Sequence, residues 1–188
     1  VTVFDENGTS LYSFGSRGSG DGQFGSALGI ATAHYGNELE IFVSDDQYNR
    51  VQVFGEKGNF KRKFYLVNGD PRGIAVDDNG SVYVADRADR VNVYDRNGTF
   101  LRSITGIPGD PWGLSIQGNR LAVGNISPHK VVIYDINGTF IKEIGELGNG
   151  VGEFDQPYGV SFAPNGDLWV ADRVNQENGS AVTIANVA

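Results

Sequence analysis

The sequence predicts an all-β fold, a β-propeller of four-stranded antiparallel blades, and three recurrences carry that prediction. One plan returns four times: Val3-Phe4-Asp5-Glu6-Asn7-Gly8-Thr9, Val53-Phe54-Gly55-Glu56-Lys57-Gly58-Asn59, Val93-Tyr94-Asp95-Arg96-Asn97-Gly98-Thr99 and Ile133-Tyr134-Asp135-Ile136-Asn137-Gly138-Thr139. Between these copies stand Gly29-Ile30-Ala31, Gly73-Ile74-Ala75, Gly113-Leu114-Ser115 and Gly159-Val160-Ser161. A third element recurs as Phe42-Val43-Ser44-Asp45, Tyr83-Val84-Ala85-Asp86, Ala122-Val123-Gly124-Asn125 and Trp169-Val170-Ala171-Asp172. A period of roughly 40–50 residues built from short strands marks a blade-type repeat. A residue shared by all copies serves the fold, so function is sought where the copies differ.

Each copy reads as strands a to d, from the inside outward. In the best-defined copy, strand a is Ile74-Ala75-Val76 and strand b is Val82-Tyr83-Val84-Ala85. Strand c, Val91-Asn92-Val93-Tyr94, alternates with period two, and strand d is Phe100 to Ile104. Asp78-Asn79-Gly80 joins a to b and Arg96-Asn97-Gly98 joins c to d. Asn-Gly predicts type I′ hairpins, whose central residues need positive φ. No segment holds helical periodicity over three turns. The chain reads as a single domain, 1–188, with repeat units at about 1–15 (partial), 28–64, 73–104, 113–145 and 158–184 (partial). It opens on strands c and d, Val1 to Phe14, and closes on a, b and a strand c at Val182-Thr183-Ile184. That makes about four blades.

Three segments bring a known repeat into view. They are Pro71-Arg72-Gly73-Ile74-Ala75-Val76-Asp77, Val82-Tyr83-Val84-Ala85-Asp86 and Asp89-Arg90-Val91-Asn92-Val93-Tyr94. Together they resemble the NHL repeat, as does Phe24 to Phe64 with Asn49-Arg50-Val51-Gln52-Val53-Phe54. The resemblance implies a ring of six blades, of which this chain would supply about four. Two copies depart from the pattern. In the third, Asn125 replaces the Asp and Lys130 the Arg; in the last, Ala181 stands in the Arg position after a long loop, Arg173 to Ser180.

Bulk properties exclude several function classes. The 188 residues include 27 Gly and no Cys or Met, and the net charge is -8. Disulfides, zinc–thiolate sites and Cys nucleophiles are absent. An acidic chain disfavours a polyphosphate or nucleic-acid partner. The basic spot formed by Lys57, Lys61, Arg62 and Lys63 reads as a solvated strand edge. No apolar run approaches the roughly 20 residues needed to span a bilayer, and no signal peptide is visible. Opening on Val1 rather than Met fits a processed product or a fragment.

Few residues offer chemistry. The loop Gly15 to Phe24 is Gly-rich, but it lacks the Gly-Lys-Ser/Thr ending of a phosphate-binding loop and leads into a strand. Its twin, Gly145 to Phe154, has the same Gly-to-Phe spacing, so both read as blade linkers. Asp45, Asp86 and Asp172 share one repeat position and are expected to accept N–H groups of the loop that follows. His34, expected in an a–b loop, and His129, in a b–c loop, fall on opposite sides of the fold. Some six-bladed relatives are metal-dependent lyases or lactonases, but no matching His set or buried acid pair is visible. No catalytic residue, metal ligand or cofactor is predicted.

One position varies between copies: the residue before the strand-a Gly is Leu28, Arg72, Trp112 or Tyr158. The d–a and b–c loops share one face, here called top, so these four are expected as exposed side chains at the axial mouth. Trp, Tyr and Arg are common interface anchors. Six Asn-x-Ser/Thr sequons, at Asn7, Asn79, Asn97, Asn125, Asn137 and Asn178, suggest N-glycosylation and a secreted protein.

The predicted function is a non-enzymatic binding or assembly scaffold. It would be an extracellular module recognising a protein or glycan partner through its top face, without membrane insertion. The alternatives are a metal-dependent propeller lyase or hydrolase, and an RNA-binding propeller of the kind some NHL proteins form. Open blade edges also predict self-association. Phe4, Phe54, Tyr94 and Tyr134 are expected to pack between blades.

Overall fold

The computed structural model describes residues 1–67 and 69–173. Asn178, Ala181, the Val182-Thr183-Ile184 strand and most of the Arg173 to Ser180 loop lie outside these residues. Three complete blades are present, each an antiparallel sheet in the order a-b-c-d. Blade 2 holds Ala27–Tyr35, Glu38–Asp45, Arg50–Gly55 and Phe60–Tyr65. Blade 3 holds Pro71–Val76, Val82–Asp86, Arg90–Tyr94 and Phe100–Thr105. Blade 4 holds Pro111–Gln117, Arg120–Asn125, Lys130–Asp135 and Phe140–Ile144. Two pairs flank them: Thr2–Phe4 with Ser10–Ser13 (blade 1, strands c and d) and Pro157–Phe162 with Leu168–Asp172 (blade 5, strands a and b). The sheets do not join into a closed ring among the described residues.

The core lies between blades. Phe42, Val51, Val53 and Phe64 of blade 2 bury against Ile74, Val82, Val84 and Tyr94 of blade 3. The same layer repeats between blades 3 and 4, through Ile104, Ile107 and Tyr134, and between blades 4 and 5, through Ile133, Leu168 and Val170. Phe54, Tyr94 and Tyr134 occupy equivalent strand-c sites and are buried, as expected. Phe4 departs from the expectation: it is 57% exposed, because no described sheet covers its outer side.

Two glycine positions explain the repeat. A Cβ on Gly29, Gly73 or Gly113 would fall 2.5, 1.9 or 2.4 Å from the carbonyl oxygen of Arg72, Trp112 or Tyr158, the residue before the glycine of the next blade. Only glycine lets consecutive inner strands approach this closely. Gly58, Gly98 and Gly138, at φ 77, 92 and 98, end the c–d turns and seat against Phe14, Phe64 and Ile104 of the preceding blade. Gly73→Ala is therefore expected to destabilise the fold by about 3 kcal/mol, since a backbone atom blocks the methyl. Gly118→Ala, at φ 56 in open space, is expected to cost about 1–2 kcal/mol from its backbone conformation alone. Equilibrium denaturation of the two variants checks the order.

The turns correct the hairpin expectation. Asn79 and Asn97 do not have positive φ; Gly80 and Gly98 do. In the c–d turn the Gly98 N–H donates to the Asp95 carbonyl, while Asp95 Oδ1 accepts from the Asn97 and Thr99 N–H groups at 2.9 and 2.8 Å. Asp5, Asp77 and Asp135 organise their turns in the same way. The leading Asp, unused in the Asn-Gly reading, caps a turn with a bulge, as a three- to five-residue loop permits. Hydrogen bonds from Thr139, Asn137 and Gly138 hold the Asp135 carboxyl below its usual range.

Candidate functional site at the axial mouth

Each strand a carries a register irregularity beside its glycine, between Ala27 and Ile30, Pro71 and Ile74, Pro111 and Leu114, and Pro157 and Gly159. Bulges of this kind re-aim a side chain. Combined with the close approach of the glycines, they gather the residues before each glycine at the axis. The Arg72 guanidinium lies 4.2 Å from the centroid of the Trp112 ring, and the Trp112 ring meets Tyr158 edge-on at 4.7 Å and 73°. Arg72 Nη1 is 2.9 Å from Asp110 Oδ2, a close ion pair without hydrogen-bond alignment. A cavity of about 200 Å³ opens here, lined by Leu28, Trp112 and Tyr158, by Ile30, Ile74 and Leu114, and by glycines of all four inner strands.

The four candidate residues thus come together, but only Leu28 has the exposed side chain expected of all four. Arg72 is 3% exposed rather than free at the mouth, because Trp112 of the next blade covers its planar head. Trp112 and Tyr158 are half-buried, and Leu28 is 44% exposed. Arg72 therefore positions Trp112, while the other three line the cavity.

The remaining candidates resolve differently. Arg50, 1% exposed, donates from Nε to Asp45 Oδ2 (3.0 Å), from Nη1 to the Ser19 carbonyl (2.7 Å) and from Nη2 to the Gln23 carbonyl (2.7 Å). The Gly-rich loop is thus strapped onto blade 2 as a linker. Asp45 and Asp172 accept N–H groups from Gly25, Ser26, Asp155 and Gln156, the loop entering strand a. The expectation had placed these bonds in the loop that follows strand b. Among the described residues, Asp86 alone bonds that loop, through Ala88. His34 belongs to strand a of blade 2 rather than to a loop, since that strand runs on to Tyr35. His129 sits in a b–c turn at φ 65. Among the described residues no group of three His, Cys, Asp or Glu side chains could hold a metal ion. No helix among them is long and apolar enough to cross a membrane.

Of the sequons, Asn7, Asn79, Asn97 and Asn137 are exposed on bottom-face turns. Asn125 is fully buried at the end of strand b, its Nδ2 donating to the Val123 carbonyl, and so presents nothing to a glycosyl donor.

One cluster was not foreseen. Glu40, 1% exposed, accepts from Arg62 Nη1 and Nη2 at 2.8 and 2.6 Å and from Arg96 Nε and Nη2 at 3.0 and 2.8 Å. Lys61 Nζ adds a bond at 3.2 Å, and Arg96 stacks on the Tyr35 ring at 3.7 Å. Burial pushes the Glu40 carboxyl upward, but hydrogen bonds from Arg62, Arg96 and Lys61 outweigh it and hold the group far below the usual range. Of the basic spot read as a solvated strand edge, Lys61 and Arg62 instead belong to a clamp between blades 2 and 3, while Lys57 is exposed and Lys63 pairs with Asp21.

With this geometry in place, similarity to known proteins can be read. Residues 68–97 match the family model of the NHL repeat. The matching segment lies within one blade. It spans strands a to c of blade 3 and so contains Arg72, Gly73 and Tyr94. The chain is also 28% identical over 88 residues to Protein brain tumor of Drosophila melanogaster, covering 46% of this chain and 8% of that protein. Among solved structures, hydrazine synthase of Kuenenia stuttgartiensis superposes with a TM-score of 0.66 at 17% identity, over 83% of this chain and 44% of its own. A streptogramin B lyase superposes at 0.63 and 16%, over 78% of this chain and 48% of its own. Glutaminyl cyclase of Myxococcus xanthus superposes at 0.55 and 14%, over 77% and 66%. At such identities these structures share the fold alone. The chain spans about 8% of the curated relative's length, and less than half of the lyase and synthase chains.

Proposed function

We propose that this NHL-type propeller arc is a non-enzymatic binding module whose axial mouth, on the top face, engages a partner through Leu28, Trp112 and Tyr158. The observation that carries the reading is the convergence of residues that differ between repeats on one cavity of about 200 Å³. Divergence at equivalent positions that still line an open cavity suits recognition more than folding. Arg72, wedged between Asp110 and Trp112, keeps the indole in place. The net charge of -8 weighs against the RNA-binding alternative. The lyase or hydrolase alternative needs a set of ligands or acids around the cavity, and its lining is uncharged. Exposed sequons at Asn7, Asn79, Asn97 and Asn137 support an extracellular glycoprotein whose bottom face bears sugar and whose top is free.

The test screens the chain on a glycan array and a secreted-protein array, then repeats each hit with variants. Trp112→Ala and Tyr158→Ala are expected to weaken binding at least about tenfold each, as for interface anchors. Lys57→Ala, on the bottom face, is expected to leave it unchanged. Hits that survive both top-face changes but vanish with Lys57→Ala would overturn the reading. Peptide mapping of native material that finds all four exposed sequons bare would remove the extracellular part.

A further inference from the structure

Resting on the reading of the axial mouth as a binding site, we infer that its ligand is a protein segment with a particular pattern: one uncharged apolar side chain, Leu, Ile or Phe, flanked by Lys or Arg. Three observations lead there. The first is the lining. Every residue around the cavity is uncharged, in a chain of net charge -8. A charged group entering it would lose its water and gain no counter-charge. The second is size and rigidity. About 200 Å³ falls below the roughly 300–1,000 Å³ of sites that enclose a drug-sized molecule. It suits a single large side chain. Trp112 is held by Arg72 on its face and by Tyr158 at 4.7 Å, so little ordering is needed when a ligand arrives. Leu28 and Ile30, 44% and 55% exposed, leave apolar surface at the mouth for that side chain to cover.

The third observation is the rim. The loops of the top face carry Asp46, Asp70 and Asp89, with Glu146 and Glu153 in the linker to blade 5, against Arg17 and Arg87, while Asp110 is paired with Arg72. Asp70 and Asp89 are exposed. An acidic rim around an apolar cavity draws in a basic-flanked anchor and repels a phosphodiester backbone. A protein segment therefore fits where a nucleic acid does not.

The test is selection of a phage-displayed random dodecapeptide library on the immobilised chain, followed by fluorescence anisotropy with the synthetic winners. The expected peptides share one Leu, Ile or Phe with Lys or Arg within two positions, and bind more weakly as salt rises. Replacing their anchor by Ser is expected to lower affinity about tenfold or more. Leu28→Asp in the protein, an exposed site with little hold on the fold, is expected to lower it comparably, which covers the case in which Trp112→Ala misfolds. Winners that are acidic, that lack a shared apolar anchor, or that bind Leu28→Asp as well as wild type would overturn the inference. So would a preference for single-stranded poly-U RNA. Array ligands that map to Trp112 and Tyr158 but lack the anchored basic pattern would overturn this inference and leave the binding face standing. Binding that ignores both residues would overturn the face itself.

Discussion

Truncating Tyr94 to alanine is expected to lower stability by about 3–5 kcal/mol, the cost of deleting a fully buried ring. Tyr94 is 0% exposed in the layer between blades 2 and 3. Its ring lies 5.2 Å from Phe64 and 5.8 Å from Phe100. Its hydroxyl accepts the Val67 N–H at 3.1 Å, so truncation also strands a donor in the d–a loop. Tyr94→Phe separates the two contributions and is expected to cost about 1 kcal/mol, the worth of one hydrogen bond. Phe4→Ala, at the equivalent but open site of blade 1, is expected to stay within about 0.5 kcal/mol, as for surface changes. Urea denaturation of the three variants checks the order. A Phe4→Ala loss equal to that of Tyr94→Ala would mean that blade 1 is covered by a sheet not seen here.

That contrast shows what a repeat makes legible. Strand identity, the a-to-d order and the burial of Phe54, Tyr94 and Tyr134 follow from alternation and period, which are local signals. The gathering of Leu28, Trp112 and Tyr158 also follows, because one repeat position maps to one place around an axis. The fate of Arg72 does not follow. Its burial depends on Trp112 and Asp110 of the next blade, and although Asp110 has a counterpart in Asp70, the tryptophan occurs in no other copy. Turn type depends on more than the Asn-Gly pair for a similar reason. The Asp two residues before the Asn caps the turn with its carboxylate and sets its geometry. Nor could alternation reveal the Glu40 clamp. Glu38, Glu40, Lys61 and Lys63 follow the pattern of solvent-facing strand residues, and Arg96 lies 56 positions from Glu40.

The clamp carries the other large effect. Because Arg96 and Lys61 also bond Glu40, the double change Arg62→Ala with Arg96→Ala is the one expected to cost about 3–5 kcal/mol, the penalty for leaving a buried charge without its partners. The carboxylate left behind is 1% exposed, whereas Lys61, Arg62 and Arg96 are 20%, 24% and 35% exposed. Water can therefore reach the cations but not Glu40. The asymmetry predicts that Glu40→Gln, which removes the buried charge itself, is milder, at about 1–3 kcal/mol. The pH dependence follows from the depressed carboxyl. A group whose folded pKa lies below its unfolded value stabilises fully above the unfolded value, near 4.3 for Glu, and loses that contribution as pH falls. The gap between wild type and Glu40→Gln should accordingly be widest near neutrality and narrow as pH drops through about 4. Salt should change it little, because enclosed pairs are screened weakly. Chemical denaturation at several pH values tests both. A gap that stays constant with pH, or Glu40→Gln proving worse than the double arginine variant, would show that the cluster holds blades 2 and 3 by packing of the Arg62 and Arg96 stems rather than by charge.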